Sequence, residues 1–140
     1  MPEKKTIRRA KEDLKEGKSP TTAAGEFVRE EIEHVRRGKH GARSAKQAIA
    51  IGLSKARRAG VPLPPPEKGK TSERTRRSAK RAYEVGQRKR PARAPSRGRA
   101  RAVTRALEEE PRSTVSRKAL SKQAKSAAAR RQHAAASEKH

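Results

Sequence analysis

The sequence predicts an all-α chain: a small N-terminal three-helix unit, a Pro-rich joint, and a basic Ala/Arg-rich helical tail that is partly disordered. Three observations carry this expectation. Apolar residues recur at helical spacing through residues 7–56, capping and stop residues stand at each helix end, and bulky side chains are scarce. Of the 140 residues 30% are hydrophobic, but 24 of these are Ala and only 18 are larger. Fully burying a large apolar side chain contributes about 1.5–3 kcal/mol, while ordering a residue costs about 1–2 kcal/mol of backbone entropy. So few side chains should fold a small helical unit and leave the remainder disordered or ordered by a partner.

Ile7, Ala10 and Leu14 stand at i, i+3 and i+7 and predict a first helix that stops at Gly17. Ser19 before Pro20 is an entry signature, because serine caps free N–H groups and proline needs no donor at the first helical position. The second helix carries Ala24, Phe27, Val28, Ile32 and Val35 as one apolar stripe, with Arg29, Glu30 and Glu31 expected outside it. Arg36 and Arg37 fall in its last turn, where the helix dipole favours cations, and Gly38 ends it. Ser44 and Gln47 have capping-box spacing before a third helix that carries Ala48, Ile49, Leu53 and Ala56 and stops at Gly60.

Val61-Pro62-Leu63-Pro64-Pro65-Pro66 must be extended, since proline fixes φ and keeps the preceding residue out of the helical region. The expected organisation is therefore a three-helix unit over 1–60, a linker over 61–71 and a tail over 72–140. Helical segments in the tail are expected over Ser72–Arg88, Ser96–Glu109 and Ser113 to about Ala136, separated by Pro91, Pro95 and Pro111. Their bulky residues (Tyr83, Val85, Val103, Leu107, Val115, Leu120) are too few for a core of their own. High Ala content gives helix propensity without tertiary anchorage, so these are expected as nascent helices. Arg43-Ser44-Ala45-Lys46-x-Ala48-x-x-x-Gly52 recurs 34 residues later as Arg77-Ser78-Ala79-Lys80-x-Ala82-x-x-x-Gly86, in a composition where chance alone could produce the match.

The charge points to the partner. Thirty-nine Lys and Arg against 15 Asp and Glu give a formal net charge of +24, with a pI near 11.6. A chain that repels itself this strongly is completed by a polyanion, and neutralised phosphates release condensed counterions. A basic membrane-surface helix needs a bulky apolar face, yet the aromatics are one Phe and one Tyr. The same scarcity argues against single-strand recognition by base stacking. The expected function is sequence-indifferent nucleic-acid binding, DNA ahead of RNA, of a nucleoid-associated or DNA-protecting kind. No membrane, small-molecule substrate or cofactor is expected, and the expected setting is the cytoplasm or nucleoid. The competing readings are a ribosome- or RNA-associated protein, and a helical interaction module whose Phe27–Val35 face packs on a partner.

The sharpest candidate site is Arg36-Arg37-Gly38-Lys39-His40-Gly41-Ala42-Arg43-Ser44. Two glycines three apart allow tight turns, and the next helix offers free N–H groups, so the segment has the makings of a phosphate nest. The helix–GxxG–helix joint resembles the backbone-clamping loop of KH domains, without the strands of that fold. Its bland alternative is a Gly-capped helical hairpin. Lys46, Arg57 and Arg58 on the third helix, Arg76, Arg77 and Lys80 on the fourth, and Arg97 and Arg99 complete the expected phosphate contacts. Arg97-Gly98-Arg99 resembles an AT-hook core, although Ser96 can equally cap a helix there.

Enzyme-like traces are weak. Gly17-Lys18-Ser19 has the tail of a P-loop, but the first glycine would fall on Glu12. Glu31-x-x-His34 has carboxylate–imidazole spacing without a second copy, and His34, His40, His133 and His140 look too dispersed for zinc without cysteine. No catalytic residue and no metal site are expected.

Residues 17–66, above all the string Gly-Lys-His-Gly-Ala-Arg-Ser-Ala-Lys-Gln-Ala-Ile-Ala-Ile-Gly-Leu-Ser-Lys-Ala-Arg-Arg-Ala-Gly at 38–60, resemble a family of small, basic, uncharacterised bacterial proteins. Some of its members are labelled plasmid stabilisation proteins. The tail from Arg105 to Ala127 resembles the family's second half more loosely. The resemblance implies a bacterial cytoplasmic setting and brings no catalytic residue.

Overall fold

The computed structural model describes residues 2–89, 91 and 96–138, with side chains through His133. The chain is all-α: α1 (Lys4–Lys15), α2 (Pro20–Arg36), α3 (Ala45–Arg58), α4 (Glu73–Gly86), α5 (Arg97–Glu108) and α6 (Arg117–Glu138), with a 3-10 turn over Arg112–Val115. Among the described residues there is no strand, and one isolated bridge joins Lys68 to Thr71. α2 packs against both α1 and α3, α4 lies on α3, and the 3-10 turn reaches back to α2. No helix among the described residues is long and apolar enough to cross a membrane.

The helix ends are where the capping chemistry places them. Ser19, Ser44, Ser72 and Ser96 each accept a hydrogen bond from the backbone N–H three residues on. The expected stops Gly17, Gly38 and Gly60 all take positive φ, +82°, +77° and +105°, where a side chain would be strained. The last segment departs from expectation. Ser113 lies inside the 3-10 turn, and Ser116 caps α6 by accepting from Ala119 N–H at 3.1 Å.

The core is built largely of small residues. One cluster joins Ala10, Ala23, Ala24, Phe27, Ala56 and Val61, flanked by Ile7, Leu14, Leu53 and Leu63. A second joins Val35, Ala42, Ala48 and Val115, flanked by Ile32. Alanine and glycine bury little area each, but they let helix axes approach until backbone meets backbone. A Cβ added at Gly52 would come 2.6 Å from the Val28 Cα, so α2 and α3 need glycine where they cross. The 34-residue echo follows the same logic: Ala45, Ala48 and Gly52 are buried on α3, while Ala79 and Ala82 are buried on α4 and a Cβ at Gly86 would strike the Arg57 carbonyl. The two copies differ in register, since Ser44 caps α3 whereas Ser78 lies inside α4.

Two sequence expectations are corrected here. Glu30 and Glu31, expected outside the stripe of α2, are 5% and 1% exposed, because α1 covers one side of the helix and α3 the other. Val115, expected to lack tertiary anchorage, is fully buried among side chains of α2, α3 and the joint. Packing also crosses the Pro-rich segment. Val61 belongs to the first cluster, and Arg57 donates from Nε to the Leu63 carbonyl and from Nη2 to that of Pro64, each at 3.2 Å.

Candidate functional site

The joint between α2 and α3 is closed on itself. Gly38 N–H donates to the Val35 carbonyl at 3.1 Å and Lys39 N–H to the His34 carbonyl at 3.0 Å. Gly41 N–H donates to the Leu107 carbonyl at 2.6 Å, and Arg43 N–H to Gln47 Oε1 at 2.5 Å. Four N–H groups that the phosphate-nest reading needs are therefore used inside the protein. Gly41 is buried, and a Cβ there would strike the Leu107 and Glu110 carbonyls. Its glycine allows the close approach of the C-terminal end of α5 and the residues that follow it. Gly38 abuts the Arg112 guanidinium in the same way.

The expected phosphate contacts separate into two groups. Arg37, Arg43, Lys46, Arg58, Arg77, Lys80, Arg97 and Arg99 are exposed, Lys39 is exposed but 3.7 Å from Glu3 Oε1, and Ser44 is exposed while capping α3. The others have structural attachments. Arg36 donates from Nε and Nη2 to the Val115 carbonyl at 3.4 and 3.3 Å. Arg57 is 8% exposed, and burial lowers its pKa from the usual value. Arg76 pairs with Glu73 at 3.2 Å, one turn away. The Arg97-Gly98-Arg99 segment forms the first turn of α5, with Arg99 N–H bonded to Ser96 Oγ at 3.2 Å. An extended hook needs the opposite backbone, so the capping alternative is the one observed.

Beneath the joint lies a polar cluster that joins the Glu31–His34 pair to His40, Lys55, Glu3 and Glu30. Glu31 Oε2 accepts from Lys55 Nζ at 2.6 Å, and Glu31 Oε1 lies 2.8 Å from His40 Nε2. His40 Nδ1 lies 2.9 Å from the Gly41 carbonyl. The His34 and His40 rings meet edge to face, with centroids 6.1 Å apart. His34 Nε2 is 3.5 Å from Glu3 Oε1 and 3.8 Å from Glu30 Oε1, and Glu30 Oε1 also accepts from Glu3 N–H at 2.7 Å. Hydrogen bonding with the His34 ring is the largest cause that holds the Glu3 carboxyl below its usual pKa; burial opposes it, and the nearby Lys39 and Arg37 charges add to the lowering. Glu30 Oε2, Glu31 Oε1 and His34 Nε2 are buried without a hydrogen-bond partner. One signal was available in the sequence: Glu31 and His34 share a helix face at i, i+3. The approach of His40 depends on how the chain turns at Gly38.

Residues 21–68 match a family of unknown function (DUF6496). The matched stretch spans most of α2, the joint, α3 and the Pro-rich segment. It thus holds Glu31, His34, His40 and Lys55 together, and excludes α1, α4, α5 and α6. No curated protein and no solved structure matches the chain.

Proposed function

We propose that the chain binds duplex nucleic acid without sequence preference, DNA ahead of structured RNA, as a nucleoid-associated or DNA-protecting protein of the cytoplasm. The observation that carries this reading is the charge on helix faces turned away from the core. α4 buries Ala79 and Ala82, while Arg74, Arg77 and Arg81 are exposed on the opposite face. α6 half-buries Ala119, Leu120 and Gln123, while Lys118, Lys122 and Lys125 form an exposed stripe at i, i+4, i+7. Such stripes neutralise phosphates without reading base edges. The closed joint enters this reading through the side-chain charges of Lys39 and Arg43, without its backbone.

Titration of random and fixed-sequence duplexes across a salt series tests the proposal. Neutralising each phosphate contributes about 0.9 to the slope of log K against log salt, so changing Lys118, Lys122 and Lys125 to Gln should lower the slope by about 2.7. The Lys39→Gln, Arg43→Gln pair should lower it by about 1.8. A flat salt dependence, or discrimination above about 1–3 kcal/mol per substituted base pair, would overturn the proposal.

A further inference from the structure

We propose that Glu31, His34 and His40 form a binding site for a single divalent transition-metal ion of the zinc class. One donor atom from each of the three lies within 4.8 Å of the others. Glu31 is 1% exposed, and its Oε1 and His34 Nε2 are buried without a hydrogen-bond partner. A tetrahedral ion with bonds of about 2.0–2.2 Å separates its ligand atoms by roughly 3.4 Å. The 2.8 Å between His40 Nε2 and Glu31 Oε1 therefore has to open by about 0.6 Å for both to bind one ion.

Proton placement strengthens the assignment. A carbonyl oxygen only accepts, so the 2.9 Å contact with the Gly41 carbonyl puts a proton on His40 Nδ1. In that tautomer the neutral ring keeps its lone pair on Nε2, which lies 2.8 Å from Glu31 Oε1. Lys55 Nζ occupies Oε2 at 2.6 Å, which leaves the buried Oε1 as the oxygen available to an ion. Ligating histidines characteristically donate their other ring N–H to a backbone carbonyl, as His40 does to Gly41.

Two imidazoles and one carboxylate suit zinc, and a lack of thiolate sulfur is no obstacle to such a set. Magnesium and calcium prefer all-oxygen sites. Glu3 and Glu30 make a second trio around His34, but with one imidazole and a half-exposed member it is the poorer match. Since His34 is common to both, the variants have to separate them. Two ligands come from the last turns of α2 and the third follows Gly38, so the ion would fasten the joint to the helix. The inference uses none of the residues on which the nucleic-acid reading rests.

The test is titration of the untagged full-length chain with zinc chloride alone by calorimetry, with cobalt(II) spectra to report geometry. One ion per chain is expected. His34→Gln and His40→Gln should each weaken binding at least about 100-fold, since loss even of an outer-shell partner costs 10–100-fold. His133→Gln and Glu3→Gln should bind as the parent does. Zinc should raise the melting midpoint of the parent and leave that of His34→Gln unchanged, which covers the case in which His40→Gln fails to fold. Parent-like affinity in His34→Gln, or a parent whose binding and melting do not respond to zinc, overturns the proposal. Loss of binding in Glu3→Gln with retention in His40→Gln also overturns it, in favour of the Glu3–Glu30–His34 trio.

Discussion

Helices α3 and α5 are both short, rich in Ala and Arg, and capped by a serine, yet they are used in opposite ways. α3 buries Ala45, Ala48, Gly52, Ala56 and Arg57, whereas α5 buries none of its residues and leaves Val103 53% exposed. The stripe of α3 is made of Ala and Gly, so neighbouring backbones close onto it and α2 and α4 both find a seat. The stripe of α5, Ala100, Val103 and Leu107, has larger residues at the same spacing. It meets the body at its C-terminal end, where Gly41 N–H reaches the Leu107 carbonyl. The amount of apolar surface in a helix therefore does not decide its burial in this protein. What decides it is whether the surface is shaped to let another backbone approach.

The largest expected effect comes from breaking that approach. Gly52→Leu forces a bulky side chain against the Val28 backbone and should cost about 3 kcal/mol, measured by urea or thermal unfolding. Gly98→Ala in α5 meets nothing within 4 Å, so it should leave stability within about 0.5 kcal/mol or raise it slightly. Equal losses in the two variants would mean that close packing of α3 is not the source of its burial.

A second contrast compares two valines from the half expected to lack a core. Val115→Ala empties a fully buried position and should cost about 2 kcal/mol, while Val103→Ala should cost less than about 0.5 kcal/mol. The same melts decide it. If Val115→Ala is silent, the 3-10 turn is not part of the cooperative unit, and the second cluster ends at Val35, Ala42 and Ala48.

The smallest expected effect is electrostatic. Glu3 and Glu73 both have carboxyl pKa values lowered from 4.5, by the His34 contact and by the hydrogen bonds from Arg76 respectively. A depressed carboxyl pKa stabilises the folded chain above the unfolded value, and that stability is lost as pH falls through the folded one. Stability should thus decline as pH drops below about 4.5, and Glu3→Gln or Glu73→Gln should flatten the decline in that window. The Glu3 carboxylate ties the start of α1 to His34 at the far end of α2 and to Lys39, so its variant should shift the global melt more than that of Glu73, whose pair lies within one helix. The reverse order would place the Glu3 contact outside the cooperative structure.

Helix positions and ends were legible in the sequence because their causes are local. A serine hydroxyl caps an N–H three residues away, proline suits a first turn, and glycine takes the positive φ that ends a helix. Each is settled within a few residues, and Ser19, Ser44, Ser72 and Ser96 all cap where their sequence context implies. Ser113 misled because Ser116, three residues on, offers the same chemistry, and the fold uses the intervening turn to bury Val115. Net charge and the exposure of most arginines were equally legible, being properties of composition. Tertiary structure alone decided which polar residues are inside. Glu31 lies on a helix covered from two sides, so its burial depends on α3 supplying Lys55 and the joint supplying His40. Gly41 reads as a tight-turn glycine of a phosphate nest, whereas the Leu107 and Glu110 carbonyls, more than 60 residues away, occupy the space a side chain would need. Contacts at that separation depend on how helices are assembled, and helical periodicity carries no record of the assembly.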